Sequence, residues 1–107
     1  MTPVIEPWNA SVYAQYTVQV ESREVVQEQL KAKNIPTAVH YPVPLHLQPA
    51  FSYLKQGEGS FPISESAAER VMSLPMHPYL SEQDQKTISS ALTQAVQASG
   101  AAAAMKA

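Results

Sequence analysis

Two of the three histidines in this sequence flank a proline-rich segment that could hold them in place for binding. His40 and His46 enclose the run Tyr41-Pro42-Val43-Pro44-Leu45, whereas His77 lies far along the chain. Prolines at alternate positions fix their own φ and push the preceding residues into extended conformations. We therefore predict a stiff connection that can present a histidine to a ligand. The ordinary alternative is that His40 merely ends a strand and His46 hydrogen-bonds backbone in a turn.

Other catalytic arrangements find little support among the remaining residues. The sequence contains no cysteine, which excludes a disulfide framework and a thiolate metal site. The spacing of the histidines matches no helical metal-binding pair, and no serine stands in a strand-turn-helix elbow. Glu65 and Glu69 are one helical turn apart, which is typical of a solvated helix face. The chain alone does not look like a complete enzyme.

Charge and hydropathy exclude two further classes of partner. The net charge is -2 and the basic residues are scattered, so the chain has no positively charged patch that could bind a nucleic-acid backbone. No apolar run approaches the roughly 20 residues of a membrane span. Residues 1–9 lack the basic start and apolar stretch of a signal peptide. We therefore expect a cytoplasmic protein that binds neither nucleic acid nor a membrane.

The first half of the chain predicts a strand, a helix and a second strand. Apolar and polar residues alternate over residues 12–21, which indicates a strand covered on one face. Ser22 can then cap a helix that Asn34 ends, because asparagine tolerates the left-handed conformation of a C-terminal cap. A short second strand is expected over residues 36–41.

The second half predicts three helices and one more extended segment. The helices are expected over residues 48–54, 64–73 and 81–97, with Ser81 and Asp84 in a capping box. Residues 74–79 are expected to be extended. Together these elements indicate an α+β two-layer sandwich, in which helices cover one face of a mostly antiparallel sheet of about three strands. We predict a single domain over residues 1–97 and a disordered tail over residues 98–107.

Two motifs resemble one enzyme family. The run His40-Tyr41-Pro42-Val43-Pro44-Leu45-His46-Leu47-Gln48-Pro49-Ala50-Phe51 resembles a hallmark of the DegT/StrS-type sugar aminotransferases, which are fold-type I pyridoxal-phosphate enzymes. The run Ser73-Leu74-Pro75-Met76-His77-Pro78-Tyr79-Leu80-Ser81 resembles a later segment of the same family. The similarity covers about residues 10 to 97 and keeps the order of the segments.

The resemblance implies that this chain is the C-terminal small domain of such an enzyme, whose large domain would hold the cofactor. His40 and Tyr41 match positions that touch the nucleotide-sugar substrate, and for Tyr41 core packing beside Val39 is the alternative. Pro42, Pro44, His46 and Gln48 match positions expected to brace the loop. None of the lysines matches the family's catalytic lysine, so no pyridoxal phosphate is expected on this chain alone.

The resemblance is nearest to enzymes that aminate UDP-linked keto-sugar uronic acids, which would place the chain in polysaccharide biosynthesis. A different class of function remains open. The chain could be an autonomous module that binds a nucleotide sugar without turning it over, or that forms a homo-oligomer through an exposed former domain interface. A small metal-dependent hydrolase is the weakest reading.

Overall fold

The computed structural model describes residues 1–104, which form a two-stranded antiparallel sheet, three α-helices and two 3₁₀ helices. The elements in chain order are β1 (Tyr16–Gln19), α1 (Arg23–Ala32), two 3₁₀ helices (Leu45–Leu47 and Pro49–Leu54), α2 (Pro62–Arg70), β2 (Val71–Leu74) and α3 (Glu82–Ala104). No helix within residues 1–104 is long and apolar enough to cross a lipid bilayer.

Within residues 1–104 the sheet has two strands rather than the three expected. β1 and β2 pair antiparallel from Tyr16 opposite Leu74 to Gln19 opposite Val71. The expected strand over residues 36–41 contributes only one bridge, in which Ala38 and Ser73 exchange backbone hydrogen bonds of 3.1 and 2.7 Å. Pro36 and Pro42 bound this segment and have no amide hydrogen to donate, which limits any longer ladder.

Both strands differ in extent from the prediction, and pairing explains why. β1 begins at Tyr16 rather than at Val12, because its partner β2 ends at Leu74, immediately before Pro75. Residues 71–73 were expected to end a helix, but they form β2, in which Met72 pairs with Val18 in the core. α2 begins earlier than predicted, at Pro62, since proline suits the first turn of a helix.

The core lies between one face of the sheet and the helices α1 and α3. It consists of Val18, Val20, Val26, Leu30, Ile35, Met72, Ala91 and Ala95, with Tyr16, Leu74, Ile88 and Leu92 packed at its edge. Three of these side chains, those of Leu30, Met72 and Val26, are fully buried. The α+β class and the apolar side of β1 are as predicted, with α1 and α3 as the covering layer.

α1 ends where the asparagine predicts. Asn34 has a φ of 59°, the left-handed conformation of a helix cap. The amide of Ile35 donates to the Leu30 carbonyl at 3.0 Å and that of Asn34 to the Lys31 carbonyl at 2.9 Å. This is the Schellman pattern, and it places Ile35 beside Leu30 in the core. At the other end Ser22 precedes the helix as predicted, but its side chain makes no capping hydrogen bond.

α3 begins at the predicted capping box and runs past its predicted end. The Ser81 hydroxyl accepts from the Asp84 amide at 3.1 Å, and the Asp84 carboxylate accepts from the Ser81 amide at 3.2 Å. The helix continues through residues 98–104 of the expected tail, because alanine is the strongest helix former. The rest of that tail, residues 105–107, lies outside the described residues.

Replacing the capping serine should weaken α3 in a pH-dependent way. We expect Ser81→Ala to lower the free energy of unfolding by about 1 kcal/mol near neutral pH. Hydrogen bonds from the Ser81 side chain and amide hold the pKa of Asp84 below its ordinary value. The carboxylate therefore stabilises the fold above that ordinary value and loses its effect as the pH falls through the lowered pKa. Urea unfolding at several pH values should show a deficit that shrinks in acid, whereas Ser90→Ala in mid-helix should cost nothing.

Candidate functional site

The proline-rich segment forms a compact connection between the Ala38 bridge and α2. Pro44 precedes the first 3₁₀ helix with φ -58° and ψ 148°, and its carbonyl accepts from the Leu47 amide at 3.0 Å. The Gln48 amide then donates to the Leu45 carbonyl at 3.1 Å. The Tyr41–Pro42 and Val43–Pro44 peptide bonds are both trans. We refer to residues 42–48 as the proline loop.

His40 and Tyr41 stand next to each other on the surface at the start of this loop. Their ring centroids are 5.5 Å apart in an edge-to-face arrangement, and the peptide bond between them is cis. Tyr41 is 72% exposed, so the alternative that it packs in the core beside Val39 is wrong. His40 borders a shallow groove whose other walls include Thr37 and Met76.

The other histidine of the motif turns away from solvent and meets a carboxylate. His46 Nε2 lies 2.8 Å from Glu65 Oε1, and the two side chains are only 9% and 18% exposed. The Phe61 ring packs edge-to-face on the imidazole, with centroids 4.8 Å apart. Because an ionised carboxylate only accepts hydrogen bonds, Nε2 is the donor in this pair. The proline loop is thus joined to α2 by a side-chain contact.

Glu65 accepts hydrogen bonds from the backbone as well as from His46. The amide of Gly59 donates to its two oxygens at 2.8 and 3.0 Å, and the amide of Phe61 donates at 3.1 Å. The Gly59 and Phe61 bonds, and then the His46 contact, hold the pKa of Glu65 below its ordinary value against the opposing effect of partial burial. The carboxylate therefore fastens the turn before α2 and the proline loop together.

This role of Glu65 was not predicted, and the solvated-face interpretation of Glu65 is wrong. Its partner His46 lies 19 residues earlier in the chain, a separation that no helical or strand periodicity connects. Two glycines ahead of the helix and the glutamate after them are the only local signal. A turn whose amides need an acceptor, followed by a carboxylate, could have suggested the contact.

Gln48 closes the far end of the proline loop. Its side-chain amide donates to the Val43 carbonyl at 3.4 Å, and its backbone carbonyl accepts from the Phe51 amide at 2.9 Å. Pro49 then occupies the first position of the second 3₁₀ helix, where a missing amide hydrogen costs nothing. The predicted helix over residues 48–54 is therefore present, but it is a 3₁₀ helix.

The histidines do not converge on a metal site. His77 is exposed just before α3, where it makes a minor contribution to the lowered pKa of Asp84. Within residues 1–104 no group of three histidine, cysteine or acidic side chains could hold a metal ion. The structure supplies no ligands for the metal-hydrolase interpretation in this part of the chain.

The described lysines do not fit the site of a Schiff-base cofactor. A lysine that forms an imine needs a desolvated pocket or a neighbouring cation to lower its pKa. The lysines of residues 1–104 are all exposed, and two of them are engaged elsewhere, Lys33 with Gln94 at 2.6 Å and Lys86 with Glu82 at 2.7 Å. Pyridoxal phosphate is therefore not accommodated by these lysines.

Comparison with known proteins gives the family to which this fold and its proline loop belong. The model of the DegT/DnrJ/EryC1/StrS aminotransferase family matches residues 1–93. The chain belongs to this family, as its two motifs predicted. Helices and sheet also superpose on an aminotransferase of this family from Brucella abortus with a TM-score of 0.81 and 41% identity, over 89% of this chain and 26% of that one.

The names of several curated relatives describe enzymes that act on nucleotide sugars. The chain is 55% identical over 92 residues to UDP-2-acetamido-2-deoxy-3-oxo-D-glucuronate aminotransferase of Pseudomonas aeruginosa. The aligned region is 86% of this chain and 25% of that relative. It is 44% identical over 78 residues, or 73% of this chain and 21% of the relative, to dTDP-3-amino-3,4,6-trideoxy-alpha-D-glucose transaminase of Streptomyces venezuelae. The chain thus spans about a quarter of the length of the relatives it matches.

Proposed function

We propose that this chain is the C-terminal small domain of a nucleotide-sugar aminotransferase and forms the substrate-side wall of its active site. The observation that carries the proposal is the pair His40 and Tyr41, exposed side by side at the start of a loop that is joined to α2 through His46 and closed internally between Gln48 and Val43. On this reading residues 1–97 act as one domain, and the enzyme works in the cytoplasm in polysaccharide biosynthesis.

The exposed pair suits a sugar nucleotide chemically. The imidazole of His40 and the phenol of Tyr41 can donate to hydroxyl, carboxylate or phosphate oxygens. Within the described residues neither side chain makes a hydrogen bond, so both are free to meet a ligand. The 55% identity to an enzyme named for a UDP-linked uronic acid favours a substrate of that class.

The chemical step would belong to the rest of the enzyme. Pyridoxal phosphate supplies an electron sink to this class of enzymes, and the protein around it supplies binding and orientation. Since the described lysines do not fit the cofactor, this chain contributes only binding and orientation. We propose that it is not catalytic alone.

A second candidate is an autonomous binding or self-association module, and exposed apolar side chains favour it. Large apolar residues that are at least 70% exposed include Val4, Trp8, Val12, Tyr53, Ile63 and Tyr79. Surfaces of this kind mark contacts with another protein or domain. In the leading proposal the large domain covers part of them, whereas in this one a second copy does. A chain that stays monomeric at high concentration would count against the second candidate.

Substrate binding can be tested on the chain itself by NMR. We expect a UDP-linked keto- or amino-sugar uronic acid to shift the amide signals of His40, Tyr41 and the proline loop. Removing one donor with His40→Ala should raise the Kd about threefold to tenfold, the loss expected for one hydrogen bond. The matched control is His77→Ala, which also removes an exposed histidine and should leave the Kd unchanged.

Two results would contradict the proposed wall. One is a set of shifts centred away from the proline loop at millimolar ligand. The other is an equal loss of affinity in His40→Ala and His77→Ala, since that would point to general charge rather than to a positioned donor.

A further inference from the structure

Three hydrogen-bond donors from two parts of the chain, the proline loop and the turn before α2, converge on Glu65. His46 comes from the proline loop, Gly59 from the turn before α2, and Phe61 from the residue that precedes the helix. A carboxylate accepts such bonds strongly because it is charged. Glu65 is mostly shielded and its oxygens are occupied, so it is not placed to meet a ligand itself.

We propose that Glu65 is a positioning residue for nucleotide-sugar binding, holding the proline loop through His46 so that His40 and Tyr41 present their donors in one geometry. This inference rests on the proposed function of the loop. It goes beyond it by assigning the geometry to a residue of α2, outside the motif that carries the family resemblance in the loop.

The path from Glu65 to the exposed pair is short and stiff. His46 lies in the 3₁₀ helix that starts after Pro44, and the Pro44 carbonyl is bonded to the Leu47 amide. Between Pro44 and Tyr41 stand only Val43 and Pro42, and both prolines have a fixed φ. Val43 is also bonded through its carbonyl to the Gln48 side chain. Few freely rotating backbone torsions therefore lie between His46 and Tyr41, so a displacement of His46 is expected to move Tyr41.

The simpler interpretation is that Glu65 only supports the start of α2. Its bonds to the amides of Gly59 and Phe61 would do that without any effect on the loop. The two roles can be separated by mutation. His46→Leu breaks the connection to the loop and leaves the hydrogen bonds from the Gly59 and Phe61 amides to Glu65 intact. Glu65→Ala breaks both, and Glu65→Gln keeps an acceptor of the same shape without the charge.

The experiment compares these variants in the 107-residue chain by three measurements. They are the Kd for the UDP-linked sugar uronic acid by NMR, amide hydrogen exchange of the loop residues 43 and 45–48, and thermal unfolding. We expect Glu65→Ala and His46→Leu each to raise the Kd by at least about fivefold and to speed exchange in the loop. The double variant Glu65→Ala/His46→Leu should have a Kd no higher than that of the weaker-binding single variant. Glu65→Gln should bind more tightly than Glu65→Ala. Glu69→Ala, one turn further along α2 and exposed, is the matched control and should change none of the three.

The outcomes that overturn the proposal are distinct from a failure of the proposed function. If Glu65→Ala lowers the melting temperature but leaves the Kd unchanged, Glu65 only supports the helix and the positioning role is wrong. If His46→Leu has no effect on the Kd while Glu65→Ala does, the connection through His46 is wrong. If the unaltered chain binds no sugar nucleotide, the proposed substrate-side wall is wrong. Independently of binding, amide exchange in the proline loop that Glu65→Ala leaves unchanged would show that Glu65 does not hold the loop.

Discussion

Leu30→Ala is expected to lower the free energy of unfolding by about 3 kcal/mol, within a range of about 2–5 kcal/mol for buried leucines. Leu30 has no exposed surface and lies at the centre of the core between the sheet and α3. Its carbonyl also accepts the Ile35 amide that closes α1. A domain of this size has only about 5–15 kcal/mol of stability, so the loss is a large part of the total. Urea unfolding followed by far-UV circular dichroism measures it.

Two controls make the result on Leu30 specific. Ile63→Ala removes the same number of carbon atoms from a side chain that is 85% exposed, and it should change the stability by less than about 0.5 kcal/mol. Leu30→Met keeps the volume and should cost less than about 1.5 kcal/mol, which provides a folded variant if Leu30→Ala does not fold. Equal losses in Leu30→Ala and Ile63→Ala would show that the core is not where the structure has it.

Local patterns in the sequence predicted those parts of the fold that local chemistry decides. The alternation around Val18 and Val20 placed the buried face of β1, and Asn34 placed the end of α1. The Ser81 and Asp84 pair placed the start of α3. Each of these features depends on residues within a few positions of one another, so a single sequence contains the whole signal.

The features that the sequence did not predict depend on distant partners. Residues 71–73 read as the end of a helix, yet they form β2 because Val18 and its neighbours pair with them more than fifty positions away. The predicted strand over residues 36–41 had no partner beyond Ser73 and became a single bridge. Tertiary pairing overrides local propensity in such short segments.

The candidate site shows the same division. The prolines predicted a stiff loop and the family resemblance predicted which histidine and tyrosine it would present. Its attachment to α2 could not be predicted, because His46 and Glu65 belong to elements whose packing no periodicity reports. The roles of His40 and Tyr41 in binding remain predictions, which the titration with a UDP-linked sugar tests.

Removing the guanidinium of Arg23 is the second change for which we expect a large effect. Arg23 starts α1, and its Nη1 donates to the carbonyls of Ala68 and Val71, where α2 turns into β2. Helix ends leave carbonyls without partners, and a positive charge there also interacts favourably with the helix dipole. Arg23→Met keeps the apolar length of the side chain but leaves these partly buried carbonyls unpaired. We expect a loss of about 1–3 kcal/mol in urea unfolding.

Arg70 provides the matched comparison for this prediction. Its guanidinium also lies at the end of α2, but its Nη1 pairs with Glu21, which is 81% exposed, at 3.2 Å, and its Nε donates only to the Ser66 carbonyl four residues earlier in α2. An exposed ion pair contributes about 0–1 kcal/mol, so Arg70→Met should cost clearly less than Arg23→Met. Equal losses would show that net charge, rather than the two bonded carbonyls, accounts for the effect of Arg23.

The loss of the Arg23 guanidinium is expected to affect the candidate site as well, because α2 lies between Arg23 and the proline loop. Its C-terminal end is held by Arg23, and its first turn carries Glu65, which holds the proline loop through His46. If α2 transmits order as one rigid helix, Arg23→Met should also speed amide exchange in the loop, whereas Arg70→Met should not. Faster exchange limited to the junction of α2 and β2 would instead show that Glu65 holds the loop independently of the far end of the helix.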